Sequence, residues 1–147
     1  MGESERATPE QSEAPPEAHR GEGARTVLVV DDDPGVRSFV GAVLRASGYE
    51  VVAAADGREA MRFVYGSSST PALLITDLEM PVMGGVELAA RLKAERPQLR
   101  VVLMTGRPDS VAAALDRPMV AGVLLKPFTV DALRTAVSRA LGTRVGP

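Results

Sequence analysis

Cysteine and tryptophan are absent from the 147-residue sequence, and aromatic residues make up only 3% of it. Without cysteine there can be no disulfide and no thiolate metal centre, and a cytoplasmic location is the natural expectation. With so few rings, any core must be built from Val, Leu, Ala and Met. No apolar run approaches the roughly 20 residues of a membrane-spanning helix, and the amino terminus lacks the apolar stretch of a secretory signal, so no membrane is expected of this chain. The net charge of −2 argues neither for nor against a nucleic-acid partner. The length suits one domain with a real core but not two sizeable ones.

Apolar residues nonetheless make up 45% of the chain, and they begin abruptly. Residues 1–24 hold Glu3, Glu5, Glu10, Glu13, Glu17 and Glu22 against Arg6 and Arg20, a net of −4, with no aliphatic side chain larger than Ala apart from Met1. Such a stretch cannot bury enough surface to offset the entropy of ordering its backbone. It is expected to be a disordered acidic tail or linker, and its lone His19 a solvated residue. The folded domain is then expected over 25–142, with 143–147 as a short tail.

Strand and helix patterns alternate from Thr26 onward. Thr26 to Val30 is a short apolar strand, and Asp31, Asp32 and Asp33 precede Pro34, which suits the first turn of a helix capped by Asp33. Val36, Phe39, Val40, Val43 and Leu44 recur at helical spacing up to Gly48. Val51 to Ala54, Ala72 to Thr76, Val101 to Met104 and Val123 to Leu125 read as four more strands. Helices are expected around Ala60 to Val64, from about Val86 to Arg96, more weakly from about Asp109 to Leu115, and from about Val130 to Leu141. The strands are apolar throughout rather than alternating, as strands buried on both faces are. The fold class expected is therefore α/β: a doubly wound, five-stranded parallel sheet with helices on each side.

In such a sheet every strand's carboxyl end points the same way, and ligands bind there. The stretch from Ala72 to Pro81 sets the pattern: an apolar run stops on one carboxylate, Asp77, with Pro81, Gly84 and Gly85 close behind. At the same edge the chain delivers Asp31, Asp32 and Asp33, then Thr105, then Lys126. Clustered carboxylates repel one another unless a cation sits between them. All-oxygen ligands without His or Cys favour Mg2+ or Mn2+ over zinc, and Mg2+ readily bridges to phosphate. The collection thus suits a phosphoryl group beside a divalent ion. The ion, the Lys126 ammonium and the Thr105 hydroxyl would each meet one phosphoryl oxygen, which leaves Asp77 to attack phosphorus.

Here the chain resembles a known family, the receiver domain of two-component response regulators in the CheY-like superfamily. The segments that carry the resemblance are Val27-Leu-Val-Val-Asp-Asp-Asp33, Leu74-Ile-Thr-Asp-Leu-Glu-Met-Pro-Val-Met-Gly-Gly85, Val102-Leu-Met-Thr-Gly106 and Leu125-Lys-Pro-Phe128. The resemblance covers about Arg25 to Leu141. It implies a flavodoxin-like fold and a regulatory phosphoacceptor rather than an enzyme, with Asp77 phosphorylated from the phosphohistidine of a sensor histidine kinase or a phosphotransfer protein. It implies Asp31 and Asp32 as the acidic pair for Mg2+, with Asp77 and the backbone carbonyl of Glu79 as further ligands. Thr105 and Lys126 would hold phosphoryl oxygens, and Lys126-Pro127 would be a cis peptide.

The same resemblance implies that a shift of Thr105 biases the face of the fourth helix, fifth strand and fifth helix toward a downstream protein target. Only six residues follow Leu141, so no direct DNA binding is expected of this chain. The aromatic residue that usually moves with that threonine would stand at Val123, which has no ring, so the usual relay is altered here. Glu79, two residues after Asp77, and Arg107, two after Thr105, occupy positions that tune dephosphorylation in receivers. They are expected to form an exposed ion pair across the cleft, worth at most about 1 kcal/mol.

Two other readings use the same residues. The run Asp31-Asp32-Asp33 also resembles the nucleophile motif of haloacid-dehalogenase-like phosphohydrolases, with Asp31 attacking. That reading leaves Asp77 idle and needs a later acidic motif where only Asp131 stands. A receiver-like module that binds partners without ever taking phosphate is the other, against which the intact set of carboxylates, Thr105 and Lys126 speaks. Within the receiver reading, the chain is expected to be a stand-alone regulator or the carboxyl-terminal receiver of a hybrid histidine kinase.

Overall fold

The structure, a computed structural model, describes residues 25–68 and 70–142. The acidic segment 1–24, with His19, and the segment 143–147 lie outside the described residues. Among the described residues five strands alternate with five helices: β1 (Thr26–Val30), α1 (Pro34–Ala46), β2 (Glu50–Ala54), α2 (Gly57–Tyr65), β3 (Leu73–Asp77), α3 (Gly85–Glu95), β4 (Arg100–Thr105), α4 (Val111–Leu115), β5 (Gly122–Leu125) and α5 (Val130–Leu141). Every strand pair is parallel and the order is β2-β1-β3-β4-β5, with β2 and β5 at the two edges. The chain steps outward from β1 to β2 and then returns past β1 to β3. The carboxyl ends of β1 and β3 therefore flank the switch point where such sheets bind ligands. This is the flavodoxin-like arrangement.

The unbroken apolar runs find their reason in two separate cores. Because successive strand side chains point to opposite faces, Leu28, Val30, Leu74, Val101 and Leu103 pack on one side against Ala60 and Val64 of α2, Leu88 and Leu92 of α3, and Ala114 of α4. Val27, Val29, Ile75, Val102 and Met104 pack on the other against Val40 and Leu44 of α1 and Leu133, Val137 and Ala140 of α5. Each large aliphatic side chain so buried stabilises the fold by roughly 1.5–3 kcal/mol.

Helix starts follow local chemistry. Asp33 Oδ1 accepts from the Gly35 amide at 2.8 Å, with Pro34 in the first turn where its missing N–H costs nothing. Asp56 Oδ1 accepts from the Glu59 amide while Glu59 Oε1 accepts from the Ala55 amide, both at 2.8 Å, a reciprocal cap that keeps Asp56 out of the site. Thr129 caps α5, and Gly142 ends it at φ 70°, where a side chain would be strained.

Several boundaries differ from expectation by a residue or two, and two of the differences have a plain physical cause. β2 starts at Glu50, one residue early, because the Glu50 amide donates to the Arg25 carbonyl at 2.9 Å. The weak helix from Asp109 to Leu115 is in fact a 3-10 turn, Pro108–Ser110, followed by the five residues of α4. The Ser110 amide bonds back three residues to the Arg107 carbonyl, no side chain caps the turn, and only Ala114 of α4 is buried. With so little apolar area to bury, nothing selects a longer α-helix there.

Candidate functional site

Sheet register sets the site. Val30 is level with Thr76, Asp77 with Met104, and Thr105 with Leu125, so Asp31, Asp77, Thr105 and Lys126 all emerge at one edge. Asp31 and Thr105 are fully buried and Asp77 is 5% exposed. Asp31, Asp32 and Asp77 each present a carboxylate oxygen, all within 4.8 Å of one another. Lys126 Nζ donates to Asp31 Oδ2 at 2.8 Å and lies 3.4 Å from Asp77 Oδ1. That Asp77 oxygen is buried and makes no hydrogen bond.

Asp31 is fixed from two further directions. Its Oδ1 accepts from the Asp33 amide at 2.9 Å, and its backbone carbonyl accepts from Arg37 Nη1 at 2.7 Å. Arg37 was not among the residues marked by sequence; a base in the first turns of a helix reads as solvated, and only the fold reveals that it turns back onto the acidic loop. Asp33 itself faces α1 as a cap and does not join the cluster.

The electrostatics follow from burial. Desolvation, and then the neighbouring charge of Asp31, push the Asp77 carboxyl up from 3.8 to about 6, while Lys126 and the Glu79 backbone N–H pull the other way. Burial pulls the Lys126 ammonium down, but the Asp31 and Asp77 carboxylates outweigh it and hold the group above its ordinary value. Three carboxylates against one ammonium, with one buried oxygen that makes no hydrogen bond, are a donor set that fits a hard divalent cation bound by oxygen.

The β4 side of the edge is arranged differently. Thr105 Oγ1 donates to Glu79 Oε2 at 2.7 Å and accepts from the Arg107 amide at 3.0 Å. The expected ion pair between Glu79 and Arg107 is not formed: the Arg107 guanidinium faces Asp109 instead, at 4.0 Å and largely in solvent. The Leu78 amide donates to the Met104 carbonyl at 2.7 Å, which keeps the chain after Asp77 alongside β4 and brings Glu79 to the threonine hydroxyl. A short hydrogen bond from a buried hydroxyl to a carboxylate outweighs an exposed ion pair.

The loop from β3 to α3 is tightly built. A Cβ on Gly85 would collide with the backbone carbonyl of Asp77, so only glycine lets α3 start against the end of β3. Val82 is 98% exposed at φ 71°, the centre of a turn in which the Met83 amide reaches the Pro81 carbonyl at 2.7 Å. Lys126-Pro127 is a cis peptide. Val123 is half-buried and packs into the core beneath α2, α3 and α4.

Compared with known proteins, residues 27–138 match the family model described as the response regulator receiver domain. The transcriptional regulatory protein GlrR of Escherichia coli (strain K12) is 37% identical over 118 residues, which are 78% of this chain and 26% of that protein. The chain thus spans about a quarter of the length of that relative. Sporulation initiation phosphotransferase F of Bacillus subtilis (strain 168) is 32% identical over 117 residues, 78% of this chain and 92% of that protein. Among solved structures, response regulator protein TrrA of Thermotoga maritima, in complex with Mg2+ and BeF, superposes with a TM-score of 0.70 at 29% identity over 80% of this chain and 99% of that one.

Proposed function

The chain belongs to the response regulator receiver family, and on that premise we propose that Asp77 is its phosphoacceptor, loaded from the phosphohistidine of a sensor histidine kinase or a phosphotransfer protein. The carrying observation is the buried Asp77 Oδ1, which makes no hydrogen bond, 3.4 Å from the Lys126 ammonium and grouped with Asp31 and Asp32. A carboxylate oxygen of Asp77 attacks phosphorus, the P–N bond to the donor imidazole breaks, and its electron pair stays with the imidazole. Lys126 meets a phosphoryl oxygen, and Asp31 keeps Lys126 in place through their 2.8 Å contact. Thr105 takes a second phosphoryl oxygen.

Asp31, Asp32, Asp77 and the backbone carbonyl of Glu79 would hold Mg2+, which when bound neutralises negative charge on the phosphoryl oxygens. The output is a cytoplasmic protein contact made by α4, β5 and α5, where Leu115, Leu125 and Val130 stand exposed. Glu79 and Arg107, next to the site, tune how long the phosphoryl group lasts.

Incubation with Mg2+ and acetyl phosphate, followed by intact mass and peptide mapping, tests the reading. One phosphoryl group on Asp77, dependent on Mg2+ and absent in Asp77→Asn, is expected. Phosphate on Asp31 would replace it with the phosphohydrolase reading, and failure to take up either phosphate or beryllofluoride would leave a binding module.

A further inference from the structure

Thr105 is fully buried, and a hydroxyl has one hydrogen to donate. That hydrogen goes to Glu79 Oε2 at 2.7 Å, while the Arg107 amide donates to the same hydroxyl oxygen at 3.0 Å. Glu79 is otherwise an exposed side chain on the loop after β3. A solvated glutamate gains nothing from being ordered unless a specific contact offsets the lost rotamer freedom, and here that contact is a charge-assisted hydrogen bond. The carboxylate is also the right kind of group to be mistaken for phosphate: an anion presenting oxygen to the Thr105 donor.

We propose that Glu79 is a positioning residue whose carboxylate holds the Thr105 hydroxyl as an internal stand-in for a phosphoryl oxygen, so that loading the site exchanges one anionic acceptor for another. The inference rests on the assignment of Asp77 as phosphoacceptor. Since Thr105 has a single hydrogen, the two acceptors exclude each other. Gain of the phosphoryl oxygen frees Glu79 into solvent at the head of the loop that leads to α3. With valine at position 123 there is no ring to change place, and the group that moves on loading is the Glu79 carboxylate.

The chain has no tryptophan, so the exchange is best read by calorimetric titration with beryllofluoride in saturating Mg2+, and by the Arg107 amide resonance in metal-free protein. Glu79→Ala is expected to bind beryllofluoride about tenfold more tightly than the parent, the order expected for releasing one charge-assisted hydrogen bond. Glu79→Gln, which keeps an acceptor oxygen but not the charge, should fall between the two. In a Thr105→Ala background the Glu79→Ala gain should vanish. Without metal, Glu79→Ala should shift the Arg107 amide, because its acceptor hydroxyl has lost its own acceptor. That readout stands even if Thr105→Ala does not fold.

Unchanged or weaker affinity in Glu79→Ala, or an unmoved Arg107 amide, would overturn the proposal. So would an equal gain with and without Thr105, since the effect would then be plain repulsion between Glu79 and the incoming anion. If the parent and every variant fail to bind beryllofluoride, it is the phosphoacceptor assignment that falls, and the exchange falls with it.

Discussion

At the ends of β1, β3 and β5, side chains of the site touch one another directly: the Lys126 ammonium reaches Asp31 at 2.8 Å and Asp77 at 3.4 Å. At the end of β4, Thr105 is held by Glu79, a side chain that arrives from a loop. The first half is positioned by strand register and buried packing, and its charged groups already face one another. The second half is carried by the same register, but the hydrogen of its buried hydroxyl is committed to one exchangeable hydrogen bond. A site with the role proposed above would gain from this division: charge would be set in place by the rigid half, and the exchange would fall to the half that can let go.

Breaking the rigid half should have the largest effect. Lys126→Met leaves the Asp31 carboxylate buried without its cation beside Asp77, and should cost about 3 kcal/mol in a denaturant titration of metal-free protein. Millimolar Mg2+ should recover much of that loss. A cost below about 1 kcal/mol would mean that the ammonium is not what holds the carboxylates together.

A smaller effect comes from the Asp77 proton. Its folded value near 6 lies above its ordinary 3.8, so between these values the folded state binds more protons than the unfolded one. The stability contributed by this group is therefore full at low pH and falls as pH rises from about 4 to about 6, by on the order of 2 kcal/mol without metal. Asp77→Asn should flatten this window and be the more stable chain at neutral pH. Parallel stability curves for the two proteins would show that the carboxylate is not strained by its burial.

The smallest effect should come from the loop that carries Glu79. Val82→Gly removes a β-branched side chain from φ 71° and is expected to raise stability by about 1 kcal/mol, after allowing for the greater freedom of glycine in the unfolded chain. A loss of stability would place the turn's strain elsewhere and weaken the contrast between a relaxed strand half and a loop half under local strain.

The rigid half is also the half that sequence makes legible. Val30 to Asp31 and Thr76 to Asp77 are sharp boundaries between residues that belong inside a sheet and residues that need solvent or a partner, so strand ends and the edge they share can be located to within a residue. Helix starts are legible for the same reason at Asp33-Pro34 and at Thr129, where one side chain satisfies an orphan amide. Side-chain direction in the loops is not. Residue spacing brings Glu79 and Arg107 to the same edge, but the Leu78 amide's bond to Met104 and the 3-10 turn after Arg107 decide where each points, and these depend on the folded backbone. Arg37 escapes notice likewise, because its target is a backbone carbonyl and leaves no mark in residue type.

The open sheet has one more consequence, for behaviour at high concentration. Unpaired strand edges are templates for adding a foreign strand, and natural sheets blunt them by keeping them short and ending them on charge or proline. β5 is an edge of only four residues, closed at once by Lys126 and by Pro127, which has no N–H to offer a neighbour. Lys126 of the acidic cleft and its neighbour Pro127 thus also guard the flank of the molecule. Substitutions made there to silence signalling, above all an apolar residue at 126 combined with loss of Pro127, would lengthen a sticky edge, and aggregation could then be mistaken for a functional defect.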